Sequence, residues 1–164
     1  MCEWCRLPAD GSAGYALAER PAQSLVGTFW EGTHAQAEAG ATREILRRMQ
    51  AFAGDLAGDD PWAGPIVGIS WNDRPDGFRY FAGIESDQDA VGGLRRIEVP
   101  VARYVTAWHA EADGEVLDHY LSMLRWMETQ GERWDKTHMH HREEYPLHAD
   151  FSGPPVLRLM LPVG

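Results

Sequence analysis

The chain spells one order of elements twice. Leu25 to Trp30 (LVGTFW) is an apolar, β-branched and aromatic run with the character of a buried strand. Thr33-His34-Ala35-Gln36 then has the S/T-x-x-E/Q spacing of a capping box, which satisfies free amides at a helix start. Ile45, Leu46, Met49, Phe52, Ala53 and Leu56 recur at three- and four-residue intervals, so one face of that helix packs inward, and the helix ends between Gly54 and Gly58. Pro61 and Pro65 bracket a loop. A second strand, Ile66 to Trp71, turns through Asn72 to Gly77 (NDRPDG) into a third, Phe78 to Ile84. The order then repeats: a strand from Arg103 to His109, a helix capped by Asp113 that carries Val116, Leu117, Tyr120, Leu121, Leu124 and Met127, and a stop at Gly131. Strands from His138 to Tyr145 and from Val156 to Val163 complete it. A shift of about 78 residues lays Phe78 to Ile84 on Val156 to Pro162. This is an α+β pattern: a duplicated strand-helix-strand-strand motif with antiparallel sheets and two helices.

At 164 residues the chain is one domain's worth of protein. It can bury roughly 70% of its unfolded surface, so its core needs no disulfide or metal. Its 15 Lys+Arg stand against 25 Asp+Glu, a net charge of −10, and Arg47-Arg48 and Arg95-Arg96 are only pairs. Affinity for a phosphate backbone needs clustered Lys and Arg, so direct DNA binding is not expected. An acidic chain with seven tryptophans instead suits a cationic or planar aromatic small molecule. No run reaches the length of a membrane span, and MCEWCRLPADG lacks the basic and apolar regions of a leader, so a cytoplasmic protein without membrane contact is expected.

The usual reactive motifs are missing. Cys2 and Cys5 form a C-x-x-C ahead of Pro8-Ala9-Asp10-Gly11, not between a strand and a helix, and read as two reduced thiols on a tail. Strand alternation puts His138 and His140 on one face and His141 on the other; with His148 nearby they read as structural histidines, so no metal is expected. No G-x-S-x-G elbow is present, Lys136 is the single lysine, and Gly92-Gly93 does not fit a phosphate loop, so no cofactor is expected.

Arg142-Glu143-Glu144-Tyr145-Pro146 carries more chemistry. In a strand, Glu143 shares a face with His141 and Tyr145, while Arg142 and Glu144 take the other. A carboxylate in an aromatic setting is desolvated, and a bound cation relieves that cost. The competing reading pairs both glutamates with arginines at the surface.

Several stretches, in order, resemble the GyrI-like small-molecule-binding family, related to the effector-binding domains of AraC- and MerR-type bacterial transcription activators. They are Leu25-Val26-Gly27, Val67-Gly68-Ile69-Ser70, Phe78-Arg79-Tyr80-Phe81-Ala82-Gly83, and Ile97-Glu98-Val99-Pro100-Val101-Ala102-Arg103-Tyr104. Tyr120 to Trp126, Glu143-Glu144-Tyr145 and Leu159-Met160-Leu161-Pro162-Val163 follow. The resemblance covers residue 22 to the C-terminus. It implies a tandem SHS2-like domain over 22–164, with repeats at about 22–86 and 100–164, a tail and lead-in over 1–21, and a central ligand cleft on a pseudo-twofold axis. The family's E-x-Y pattern sets the ligand-facing acid on Glu143, with Glu144 as its neighbouring alternative. Tyr80, Trp108 and Tyr145 match the aromatic walls, and burial logic adds Trp30, Trp71 and Trp126.

The family's regulators carry a helix-turn-helix domain ahead of this one, whereas about 20 residues precede the first strand here. The resemblance therefore implies a stand-alone binding protein for cationic or planar lipophilic compounds, acting in sensing or sequestration. Hydrolysis of electrophilic, cyclopropane-bearing natural products is the enzymatic alternative, with Glu143 handling a water and Tyr80 or Tyr145 steadying the developing oxyanion. A topoisomerase-inhibitor-like protein acting on a protein partner is the third.

Overall fold

The computed structural model describes residues 14–57 and 64–164. Along the chain these form β1 (Ala16–Arg20), β2 (Gln23–Thr33), α1 (His34–Glu38), α2 (Ala41–Ala57), β3 (Ile66–Arg74), β4 (Gly77–Glu85) and β5 (Arg95–Val99). The second half holds β6 (Ala102–His109), a 3-10 turn (Glu111–Asp113), α3 (Val116–Thr129), β7 (His141–Tyr145) and β8 (Leu157–Val163). Cys2, Cys5, Trp4 and Trp62 lie outside the described residues.

All the strands join one antiparallel sheet in the order β1-β6-β8-β7-β3-β4-β2-β5. The order is palindromic in the duplication: β7 of the second repeat pairs with β3 of the first, and Gly68 and Glu143 stand opposite each other at the centre of that pairing. The strand that leads into each repeat crosses to the other one. Leu25 on β2 pairs with Ile97 on β5, and the residue 79 positions after Leu25, Tyr104 on β6, pairs with Ala18, 79 positions before Ile97. The lead-in expected over 1–21 thus contributes β1, an edge strand of the sheet.

Local chemistry accounts for the helices. Thr33 Oγ1 accepts from the Gln36 N–H at 3.1 Å and Gln36 Oε1 accepts from the Thr33 N–H at 2.9 Å, the capping box expected from the sequence. The helix it starts runs only five residues, because Gly40 takes a φ of +107°, in the region that favours glycine, and α2 begins at Ala41. The first expected helix is therefore two, giving three α-helices among the described residues in place of two. In the second repeat Asp113 does not cap α3. Its carboxylate accepts from the Ala110 N–H at 2.8 Å within the 3-10 turn, and Glu115 is the residue ahead of the helix. Gly131, at φ +72°, ends α3 with Gly131 N–H to Glu128 O and Glu132 N–H to Met127 O, a Schellman closure.

Helices α2 and α3 cover one face of the sheet. Ile45, Leu46, Met49 and Ala53 of α2 and Tyr120, Met123 and Met127 of α3 join Ile66, Ala82, Val105, Leu157, Leu159 and Leu161 in one core. The inward face of α3 is one stripe over from the sequence reading: Met123 is buried, whereas Leu117 and Leu121 are exposed. The opposite sheet face has a smaller core of its own, including Leu25, Ile69, Phe81, Tyr104 and Met160.

Candidate functional site

Strand alternation on β7 directs His141, Glu143 and Tyr145 toward the helices and Arg142 and Glu144 away from them. Across the ladder Glu143 faces Gly68, and on the next strand Tyr80 pairs with Ser70. A Cβ on Gly68 would fall on the Tyr80 hydroxyl, so the glycine opens the path along which Tyr80 reaches the carboxylate. Tyr80 donates to Glu143 Oε2 at 3.1 Å and Tyr145 donates to the same oxygen at 3.2 Å. Among the described residues no arginine or lysine forms an ion pair with Glu143, and its Oε1 accepts no hydrogen bond.

Glu143 is half-buried, its remaining surface turned to a cavity of about 450 Å³. Desolvation raises its proton affinity above the usual carboxylate range, and the two phenol hydrogen bonds offset part of that rise. Burial pushes the Tyr80 and Tyr145 hydroxyls well above their ordinary range, and the Glu143 charge adds to it, so both stay protonated donors. The sheet supplies Ser70, Phe78, Tyr80, His141 and Glu143 to the cavity; Val116, Leu117 and Tyr120 of α3 and His34, Ala37 and Glu38 of α1 wall its sides.

Of the lining residues that the sequence-derived site lacks, Tyr120 and His141 bear most on its chemistry. Among the described residues the buried Tyr120 hydroxyl has no hydrogen-bond partner, and its side chain lines the cavity. His141 is stacked between Tyr120, at 4.4 Å, and Trp134, at 5.5 Å. Burial lowers its pKa to about 4, so it is neutral at pH 7. A tyrosine at an inward helical position where leucine would pack was the available signal for Tyr120. His141 was marked by sharing a strand face with Glu143.

Glu143, Tyr80 and Tyr145 meet at one point, but the four tryptophans expected around them do not line the cavity. Trp108 has the same strand parity as Tyr104 and lies on the opposite face, with the Arg158 guanidinium 4.9 Å above its ring. Trp71 faces that side too, where it stacks with Phe29 and donates to the His138 carbonyl at 2.7 Å. Trp30 is on the helix face but packs edge-on against Phe78, behind the wall. Trp126 packs against Tyr15 at 5.4 Å. Trp134, between α3 and β7, touches the site through His141.

Glu144 has a different setting. Arg20 grips it with Nε to Oε2 at 3.2 Å and Nη2 to Oε1 at 3.1 Å, and Arg142 Nη2 adds a bond to Oε2 at 3.2 Å. All three side chains are buried.

Neither a family model nor a curated protein sequence matches the chain. Solved structures do match in shape. SAV2435 bound to tetraphenylphosphonium is 17% identical, with a TM-score of 0.62 over 93% of this chain and 94% of that one. EcmrR, in a complex with DNA, has a TM-score of 0.65 at 14% identity, over 92% of this chain and 57% of that one. A hydrolase from Listeria innocua has a TM-score of 0.57 at 17% identity, over 92% of this chain and 91% of that one. The duplicated eight-stranded sheet, its helices on one face and these likenesses together show that the chain has the fold of a GyrI-like effector-binding domain.

Proposed function

We propose that residues 22–164 form one small-molecule-binding domain whose cavity takes lipophilic organic cations, in sensing or sequestration. One observation carries this reading: Glu143 is desolvated, held by two neutral phenol donors and left without a cationic partner among the described residues. Tyrosine hydroxyls stabilise the carboxylate without cancelling its charge, so its field extends into the cavity. A monovalent cation brought to ~4 Å gains about 4 kcal/mol at an effective dielectric of ~20, against about 1 kcal/mol in water. Aromatic rings of Phe78, Tyr80, Tyr120 and Tyr145 supply the apolar and cation–π contacts such a guest needs. The likeness to a protein bound to tetraphenylphosphonium supports the same class of guest. The reading needs no DNA contact and no membrane; no helix among the described residues is long and apolar enough to cross one.

Titration with tetraphenylphosphonium, followed by tryptophan fluorescence, tests it. Wild-type protein binds, and Glu143→Gln, which keeps the acceptor for both tyrosines, loses at least ~10-fold in affinity, about 1.4 kcal/mol. Equal affinities in the two proteins would overturn the counter-charge role.

A second reading has its own observation. A carboxylate with raised proton affinity beside phenol donors suits a general base, and the fold is shared with a protein described as a hydrolase. In it Glu143 takes a proton from a water that attacks a strained electrophilic ring, and Tyr80 or Tyr145 steadies the charge that develops on the leaving side. Turnover of a cyclopropane-bearing compound that disappears in Glu143→Gln would establish it; binding without turnover leaves the first reading standing.

A further inference from the structure

We propose that His109, Asp113 and His119 form a binding site for a divalent transition-metal ion, best matched by Zn²⁺, at the junction of β6 and α3. The ligand atoms of these three residues lie within 4.8 Å of one another. His109 closes β6, is buried, and alternates with Val105 and Ala107 toward the helices. Asp113 belongs to the 3-10 turn that follows, and His119 lies in the first turns of α3. A short connection thus delivers an H-x3-D-x5-H set to one point.

Nδ1 of His109 and Nδ1 of His119 stand 2.9 Å apart. Two imidazole nitrogens each ~2.05 Å from one tetrahedral ion stand roughly 3.3 Å apart, so an opening of a few tenths of an ångström admits the ion. Asp113 is already oriented, its Oδ2 accepting from the Ala110 N–H at 2.8 Å, which is how outer hydrogen bonds commonly fix a ligating carboxylate. Exposed Glu111, Glu115 and Asp118 belong to the same stretch of chain and add negative charge to it. Two imidazoles and one carboxylate select a borderline ion such as Zn²⁺ or Co²⁺ over Mg²⁺ or Ca²⁺, and three protein ligands leave a position for water. None of the three lines the Glu143 cavity. The ion would pin β6 to the start of α3, the helix that gives Val116, Leu117 and Tyr120 to that cavity.

The competing account is a plain histidine–histidine hydrogen bond. Chelator-treated full-length protein is titrated with Zn²⁺ by calorimetry and with Co²⁺ by visible absorption. The expected result is one equivalent bound, weakened at least ~100-fold by His119→Gln and at least ~10-fold by Asp113→Asn. Asp113 is half-buried and on a turn, so its variant serves if His119→Gln fails to fold. Cys2→Ser/Cys5→Ser and His138→Ala/His140→Ala leave the binding unchanged. Absence of binding, or binding that survives Asp113→Asn and is lost in the cysteine or His138/His140 variants, overturns the proposal.

Discussion

Glu143 and Glu144 are adjacent on one short strand, and their surroundings differ in kind. Glu144 is enclosed with Arg20 and Arg142, two guanidiniums for one carboxylate, and Arg142 also lies 5.4 Å from the Tyr104 ring centre. Glu143 has two phenols and a cavity. Charge on the first face is consumed inside the protein, where it fixes β7 against β1. Charge on the second is left facing the cavity. The same residue type at neighbouring positions thus serves structure on one face and, in the function proposed above, binding on the other, and the pleat separates the two settings.

The comparison can be broken first at its structural half. Glu144→Gln leaves two buried guanidiniums without their carboxylate and should cost about 3–5 kcal/mol, lowering Tm by roughly 10 °C in thermal denaturation. A loss under ~1 kcal/mol would show that the arginine network does not hold the sheet. Gly68→Ala acts on the binding half from across the ladder. Its new methyl displaces the Tyr80 hydroxyl from Glu143, costing on the order of 1–3 kcal/mol in urea denaturation and weakening cation binding.

Glu143→Gln should have the opposite sign from Glu144→Gln. Desolvation raises the Glu143 pKa in the folded protein, so the unfolded chain releases this proton at lower pH. Stability is then lost as pH rises from the ordinary carboxylate range through the folded value, and the amide removes that loss. The variant gains on the order of 1 kcal/mol, or about 2–4 °C in Tm, at pH 7, and less at pH 4. Binding of a permanent cation follows the same group: affinity in the wild type climbs with pH above the ordinary carboxylate value, while the variant's profile is flat there. Smallest of all, Trp108→Phe leaves cation affinity within about twofold, because Trp108 lies on the far side of the sheet. A large loss would move the guest to that face.

What the sequence revealed was local or periodic. The Thr33 capping box, the glycine stop at Gly131, the doubled order of elements and the face shared by His141, Glu143 and Tyr145 follow from spacing alone. What stayed hidden depends on partners far along the chain. ALAER shows no apolar alternation and RRIEV alternates only over Arg96 to Val99, too short a run to declare a strand, yet β1 and β5 each complete the opposite repeat. The reading that pairs both glutamates with arginines at the surface holds for Glu144 only in its partners, since the pairing is buried and Arg20 comes from 124 residues away. Gly40 breaks a helix whose periodicity continues past it. The family's aromatic walls point to Trp108 and burial logic to Trp30, Trp71 and Trp126, whereas parity with Tyr104 already turns Trp108 away from the helices. His109 and His119 meet only because a helix folds back on the strand before it.

The pairing of Gly68 with Glu143 has a meaning for how such a site arises. A dimer of identical halves places every residue on its axis opposite its own copy. A glutamate there would face a second glutamate, and the two would share a proton or repel. Joining the halves into one chain lets them diverge, so that one side contributes a carboxylate and the other contributes nothing but room. A lone negative charge at the centre of a near-symmetric molecule is an arrangement open to the fused chain and closed to the pair.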